Sequence, residues 1–480
     1  MRVVRAVFPR LNHWLYGLPD PRVQEMCLYA AAHLWWQILA TFLSRQGSRN
    51  GFDEQRQSGE AAWNMGALCG QAAEDPRFEG APTVTCSDNA AYHASRVDPQ
   101  RVAQIPVLMF RDLLARRLFD GVRLFDRWYV LVVDGSVKEK CRQGFHQGGK
   151  SATDGARYRY VLQLSVIGPR GTLFPLMHEE MDLHNPQTQK EDCELKSFHR
   201  LSRRLKKEFP KLPFCLVADA LYACQAIVAI CQRCDWKYVL TLKEGRQPTT
   251  WDETIKLLPF NRTNRLRHRL GQGGKAGLQD FRWVENVMLG EHQTNVMLSG
   301  EITAEAATLY AYITNFSNLS PERVATLVNR VGRERHLIED TFNTQKNNGI
   351  GLEHVFCAQA TASKNYYTML QVAQILWILT CRGCLQRLYD WARRATEQGL
   401  ARAVWEGLRT VRLPPDLPPL GQIRFGFTWL SRAESSQPDP VDNLNLEVRH
   451  TLHGAASLPT NCPPPSTSPL RFATRHRERG

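Results

Sequence analysis

The chain has 480 residues, 43% hydrophobic and 22% charged, enough apolar material for a sizeable core in two or three domains and too much for a disordered or fibrous polypeptide. Its 61 Lys and Arg against 47 Asp and Glu leave a formal charge of +14, a surplus that points to a polyanionic partner, nucleic acid before an anionic membrane. The thirteen Cys are scattered and odd in number, and residues 1–10 lack the apolar stretch of a secretory signal, so the expected setting is a reducing, cytosolic one.

Residues 1–125 read as mainly helical, with helices expected at 23–45, 60–69, 89–95 and 107–119. The uncharged run 26–44 contains His33 and Gln37 and falls short of the about 20 apolar residues of a membrane span, so it reads as a buried helix. At Trp128 the texture changes. Residues 128–134 are apolar and β-branched and predict a buried strand ending at Asp134. A polar loop with Gly144, Gly148, Gly149 and Gly155 follows, then a hairpin of 158–167 and 172–177 around Gly168-Pro169-Arg170-Gly171. A helix over 190–209 carries Leu195, Phe198, Leu201 and Leu205 on one face; Lys196, His199, Arg200, Arg203, Arg204, Lys206 and Lys207 occupy the other. A strand at 214–218 ends at Asp219; a helix at 222–234 and a strand at 236–242 follow. This order predicts an α/β fold with a mixed sheet. If its first and fourth strands are adjacent and parallel, Asp134 and Asp219 stand side by side at its mouth.

Residues 244–318 interrupt the α/β rhythm with alternating strands at 281–289 and 309–315, a β-rich insertion whose basic edge includes Arg265 and Arg267. Ser320-Pro321-Glu322 predicts the cap of a helix over 321–346, ended by Gly349 and Gly351. Arg335, Glu339, Phe342 and Lys346 share one face of it, a pattern that by itself reads first as a surface salt-bridge stripe. Helices at 360–391 and 396–410 precede a proline-rich linker and a tail expected to be disordered from about residue 435. The pairs Cys231/Cys234 and Cys381/Cys384 read as buried structural thiols rather than zinc half-sites.

Asp134, Asp219 and Glu339 are carboxylates that the topology can bring together. Three acids so placed repel one another unless a cation neutralises them, and hard oxygen donors suit Mg²⁺ or Mn²⁺. Two such ions activate a nucleophile and steady the leaving oxygen in phosphodiester transfer. Arg335 and Lys346, with Arg200, Arg203, Arg204, Lys207, Arg265 and Arg267, are the candidate phosphate contacts.

The ordered acidic set resembles the DDE transposases of bacterial insertion sequences. It is closest to their cut-and-paste branch, which has a β insertion between the second Asp and the Glu. That branch carries Tyr, two residues, Arg, three residues, Glu, six residues, Lys. Arg335, Glu339 and Lys346 match, and Gly332 stands at the Tyr position. Residues 132–136 and 217–222 resemble the two Asp motifs, and the resemblance covers about residues 80–390. It implies an RNase H-like catalytic core at 126–243 and 319–350, interrupted by the insertion 244–318. A helical region, 1–125, with a possible role in binding DNA ends precedes the core; helices 351–412 and the linker and tail 413–480 follow. It also implies two Mg²⁺ or Mn²⁺ ions on Asp134, Asp219 and Glu339, and nicking and strand transfer on double-stranded DNA at element ends. A homodimer on DNA, a place at the bacterial nucleoid in the cytoplasm, and an aromatic residue of the insertion, Trp283 or Trp251, holding a flipped base are further expectations. An RNase H-superfamily nuclease without strand transfer and a decayed transposase that only binds DNA are the competing readings.

Overall fold

The computed structural model describes residues 2–56, 60–70, 84–142, 150–151, 155–181, 192–270, 277–303, 306–386 and 389–412. The loop glycines 144, 148 and 149, the start of the basic helix at 190, most of the 271–277 glycine run, and the linker and tail from 413 lie outside these residues.

Among the described residues there are ten strands: β1 (Tyr129–Cys141), β2 (Lys150–Ser151), β3 (Arg157–Ile167), β4 (Leu173–Met181), β5 (Phe214–Ala218), β6 (Lys237–Thr241), β7 (Arg265–Leu270), β8 (Gly277–Leu289), β9 (His292–Thr303) and β10 (Ala307–Thr314). They form one mixed sheet in the order β2-β3-β1-β5-β6-β10-β9-β8-β7, with β4 on β3. β1, β5 and β6 are mutually parallel and central, which is why Val130–Val133 and Phe214–Ala218 are unbroken buried apolar runs.

The expected first strand is too short. β1 continues seven residues past Asp134, because β3 pairs with it antiparallel from Leu131↔Val166 to Cys141↔Arg157. What ends near Asp134 is the parallel ladder to β5, whose last pair is Val132↔Val217. The insertion also differs from expectation. It contains β7 and β9 as well as the two expected strands, and β10 hydrogen-bonds to β6, so its strands prolong the central sheet.

The expected helix 23–45 is a short turn at Gln24–Met26 and a separate helix, Ala31–Leu43; extended backbone at Cys27 and Ala30 divides them. The expected helix 107–119 spans Gln104–Ala115 and closes where Arg117 takes a left-handed φ of 58°. The helix Ala31–Leu43 is buried almost all round and packs on the long helix Ala360–Thr380, so the amino-terminal helices, the sheet and the carboxyl-terminal helix share one core. The stretch 360–385 is long and apolar enough to cross a membrane by composition, and 78% of its apolar window is buried inside the fold.

A buried ionic group fastens that helix to the sheet. Lys138 Nζ donates to Glu180 Oε1 at 2.7 Å and to Ser363 Oγ at 2.9 Å. Arg159 Nη1 donates to Glu139 Oε2 at 2.9 Å, and Ser363 Oγ donates to the same oxygen at 2.8 Å.

Residues 321–347 are helical throughout but segmented: α-helix Pro321–Leu327, a wide π turn Val328–Gly332, a tight 3₁₀ turn Arg333–Arg335 and α-helix His336–Asn347. The irregularity falls where Gly332 meets the ring of Tyr312 on β10. A Cβ at 332 would lie 2.6 Å from Tyr312 Cε1, so only glycine lets the two elements approach this closely.

Candidate active site

Asp134 and Asp219 each lie two residues beyond the last pair of the parallel β1–β5 ladder, Val132↔Val217, so register brings them to a common level, Asp134 on β1 and Asp219 just past the end of β5. The Asp134 Oδ1 accepts from the Gly135 amide at 2.9 Å. Asp219 opens the turn after β5, and its Oδ1 accepts from the Leu221 amide at 2.9 Å. Arg335 brings Glu339 into the group. Its Nη1 lies 3.8 Å from Asp134 Oδ2, and its Nη2 donates to Glu339 Oε1 one turn along the same helical rod.

A fourth carboxylate, absent from the sequence reading, stands in the same place. Glu194 is in the first turn of the helix Glu194–Glu208. Its Oε1 lies 2.5 Å from where a Cβ on Gly135 would be, and its Oε2 accepts from the fully buried Tyr222 hydroxyl at 3.2 Å. The only signal in the sequence is that Glu194 opens a basic helix with Ser197 and Phe198, not cations, three and four residues on.

The electrostatics follow from this crowding. Burial pushes Asp134 up to about 7; Arg335 and the Gly135 amide oppose the rise, and the charges of Glu194 and Glu339 add to it. Glu194 is also raised, first by burial, against the Tyr222 hydrogen bond and with the charge of Asp219 adding to it. Among the described residues no cation figures among the groups acting on Glu194.

Among the described residues no three His, Cys, Asp or Glu side chains already stand as a ligand cluster. The donor chemistry nevertheless fits a hard divalent cation. Mg²⁺ characteristically takes one or two carboxylates and completes its shell with water and phosphate oxygens, and the Glu194 carboxylate stands beside Gly135 in the place a side chain there would take. Asp134 and Asp219, with Glu194 or Glu339, are the groups that would hold it.

The other candidates are placed less uniformly. Lys346 Nζ pairs with Glu353 Oε1 at 2.7 Å. Arg200 is held by Glu179 at 2.7 Å and Asp192 at 2.6 Å, and Arg204 by Glu179 at 2.8 Å, so these two brace β4 against the helix. Arg203 and Lys207 on that helix are exposed. Arg265 makes a two-pronged pair with Asp280 at 2.7 Å per arm; Arg267 at 3.6 Å and Arg282 at 3.4 Å join the same acid on the outer face of β7 and β8. Trp283 does not fit the flipped-base expectation, because it is 3% exposed and its indole belongs to the core. Trp251 is half-buried against the same core. Cys231, Cys234, Cys381 and Cys384 are free and buried.

No family model matches the sequence, and no curated protein matches it. Among solved structures the chain is similar to a piggyBac transposase in a synaptic complex with hairpin DNA, seen by cryo-EM. The identity is 8% and the TM-score 0.38, over 97% of this chain and 86% of that one. At that distance likeness does not carry function, which has to be argued from the site itself.

Proposed function

We propose that this chain is a DDE-type transposase that cleaves phosphodiester bonds at the ends of an insertion sequence and joins the freed strand to target DNA. The observation that carries the reading is that Asp134 and Asp219 each follow the parallel β1–β5 ladder by two residues, with Glu339 tied to Asp134 through Arg335. The strand order β4-β3-β1-β5-β6 supports an RNase H-like core. When bound, Mg²⁺ or Mn²⁺, two ions per site on this reading, supplies a lowered-pKa oxygen nucleophile and charge neutralisation at the leaving oxygen. Asp134, Asp219 and Glu339 hold the metal, and Arg335 is poised to exchange its carboxylate partners for a backbone phosphate. The exposed Arg203 and Lys207, with Arg267, give the +14 chain a track for double-stranded DNA. Synapsis of two ends calls for a homodimer on DNA, and a bacterial nucleoid is the matching location.

The test uses duplexes built from the inverted repeats expected to flank the coding region. The wild type should nick them with Mg²⁺ or Mn²⁺ and lose activity in EDTA. Asp134→Asn and Asp219→Asn should fall to background while still retarding the DNA in a gel. Cleavage at the wild-type rate by either variant overturns the proposal. Nicking without strand transfer would instead select the nuclease reading.

A further inference from the structure

We infer that Glu194 is a fourth working carboxylate of this centre, one that helps hold the divalent cation between Asp134 and Asp219, with Tyr222 as its positioning residue. The inference rests on the active-site reading above and extends it to a residue outside the acidic triad.

Three independent placements converge on Glu194. The first is the backbone of β1. Gly135 directly follows Asp134, and an ideal Cβ there would lie 2.5 Å from Glu194 Oε1 and 2.7 Å from its Cδ. Position 135 has ordinary strand pairing, Gly135↔Leu162, so its glycine is explained by what lies against it and not by an unusual backbone angle. The second is the turn that carries Asp219. Tyr222 donates its backbone amide to Asp219 O at 3.2 Å and its hydroxyl to Glu194 Oε2 at 3.2 Å. Its ring is wholly buried and packs edge-on against Phe198, one turn along the helix from Glu194. The hydroxyl is thereby aimed, and it holds one oxygen of Glu194 while leaving the other against the Gly135 backbone. The third is the helix. Glu194 lies in the first turn of a fifteen-residue helix, where a carboxylate is favoured by the unpaired amides.

Glu194 is therefore linked to both Asp motifs, through Gly135 on one side and Tyr222 on the other. Glu339 stands differently: its side chain is 52% exposed and it is engaged by Arg335. Among the described residues no Lys or Arg pairs with Glu194, and a half-buried acid so placed, with two more acids acting on it or on its neighbour, is an unfavourable arrangement unless an outside cation completes it. A structural role predicts something else: a carboxylate held only for packing would pair with one of the many Arg and Lys of its own helix, as Glu179 does with Arg200 and Arg204.

The experiment measures Mn²⁺ binding by electron paramagnetic resonance on the full-length protein without DNA, alongside cleavage. Wild type, Glu194→Gln, Tyr222→Phe, Gly135→Ala, Asp134→Asn and Asp219→Asn are compared, with circular dichroism and melting temperature as the folding control. Glu194→Gln is expected to weaken Mn²⁺ binding at least tenfold, and Tyr222→Phe to weaken it less. Gly135→Ala leaves every charge in place but puts a methyl where Oε1 sits, so it should reproduce Glu194→Gln. If Asp134→Asn and Asp219→Asn weaken Mn²⁺ binding while Glu194→Gln and Gly135→Ala keep wild-type affinity, this inference falls and the active-site reading stands. If the folded wild type binds no Mn²⁺, the active-site reading falls and takes this inference with it.

Discussion

Arg335 Nη1 lies 3.8 Å from Asp134 Oδ2 while Nη2 of the same guanidinium is bonded to Glu339, so a single cation joins a strand carboxylate to a helix carboxylate. Arg335 is the main group holding Asp134 down against burial. Arg335→Ala is therefore expected to push Asp134 above about 7, which carboxyl ¹³C NMR titration of the metal-free protein would read directly. An unchanged titration would mean that the guanidinium does not sit against Asp134 in solution.

Gly332 and Tyr312 form a second close pair. A methyl at 332 would fall within 2.6–2.9 Å of three atoms of the Tyr312 ring, which is itself only 4% exposed and unable to swing away. Gly332→Ala should cost about 1–3 kcal/mol, the usual penalty for overpacking, seen as a lowered denaturant midpoint. Adding Tyr312→Leu should cost less than the two single changes summed, because the pair is in contact. Strict additivity would place the strain elsewhere.

The ionic group under helix Ala360–Thr380 should be far more sensitive than the surface ion pairs. Arg159 and Glu139 have side chains only 8% and 6% exposed. Arg159→Met leaves the Glu139 carboxylate buried with Ser363 as its remaining hydrogen-bond partner among the described residues and should destabilise by about 3–5 kcal/mol. Arg282→Met, at the exposed end of the Asp280 cluster, should change stability by less than about 1 kcal/mol. Chemical denaturation of the two variants compares them on one scale.

Acid should unfold the protein through buried imidazoles. Burial lowers His33 and His93 to about 4 and His178 to about 3. Their folded pKa values lie below the unfolded value of about 6.5, so the unfolded chain takes up protons first. The stability they contribute is complete above pH 6.5 and is lost as pH falls towards 4 and then 3. Asp134 acts in the opposite sense: its folded pKa is raised, so its contribution is complete below about 4 and is lost as pH rises through about 7. Replacing His178 by Gln should flatten the acid limb of melting temperature against pH, and Asp134→Asn should flatten the neutral limb.

DNA affinity should separate the basic helix into two sets. Arg203→Ala and Lys207→Ala remove exposed charges and should each reduce the slope of log affinity against log salt by about 1. Arg200→Ala and Arg204→Ala remove cations already paired with Glu179 and Asp192, and should affect the slope less and stability more. Equal slopes in all four variants would mean that this helix face does not meet DNA.

Local pattern alone was enough to reveal the elements that depend on it. The buried strand at 214–218 is legible because five apolar residues are bounded by Pro213 and Asp219, and its observed limits, Phe214–Ala218, are the same. The hairpin at 168–171 is likewise written in Gly168, Pro169 and Gly171. The adjacency of β1 and β5 stood in the sequence only as a condition; the parallel ladder from Tyr129↔Phe214 to Val132↔Val217 supplies it, and with it the common level of Asp134 and Asp219. What depends on partners far away in the chain was not legible. β1 runs on to Cys141 because β3 is there to pair with it; Gly332 is glycine because Tyr312 arrives from another strand; Trp283 is core because the insertion joins the main sheet. Glu194 is the sharpest case. In one dimension it is one of three acids, with Glu191 and Asp192, at the head of a basic helix; only packing that helix against β4, beside Gly135 and under Tyr222, puts its carboxylate among the acids of the site. Periodicity and composition report what a residue does to its own segment, whereas a shared site is defined by distances between segments, and those come only from the folded chain.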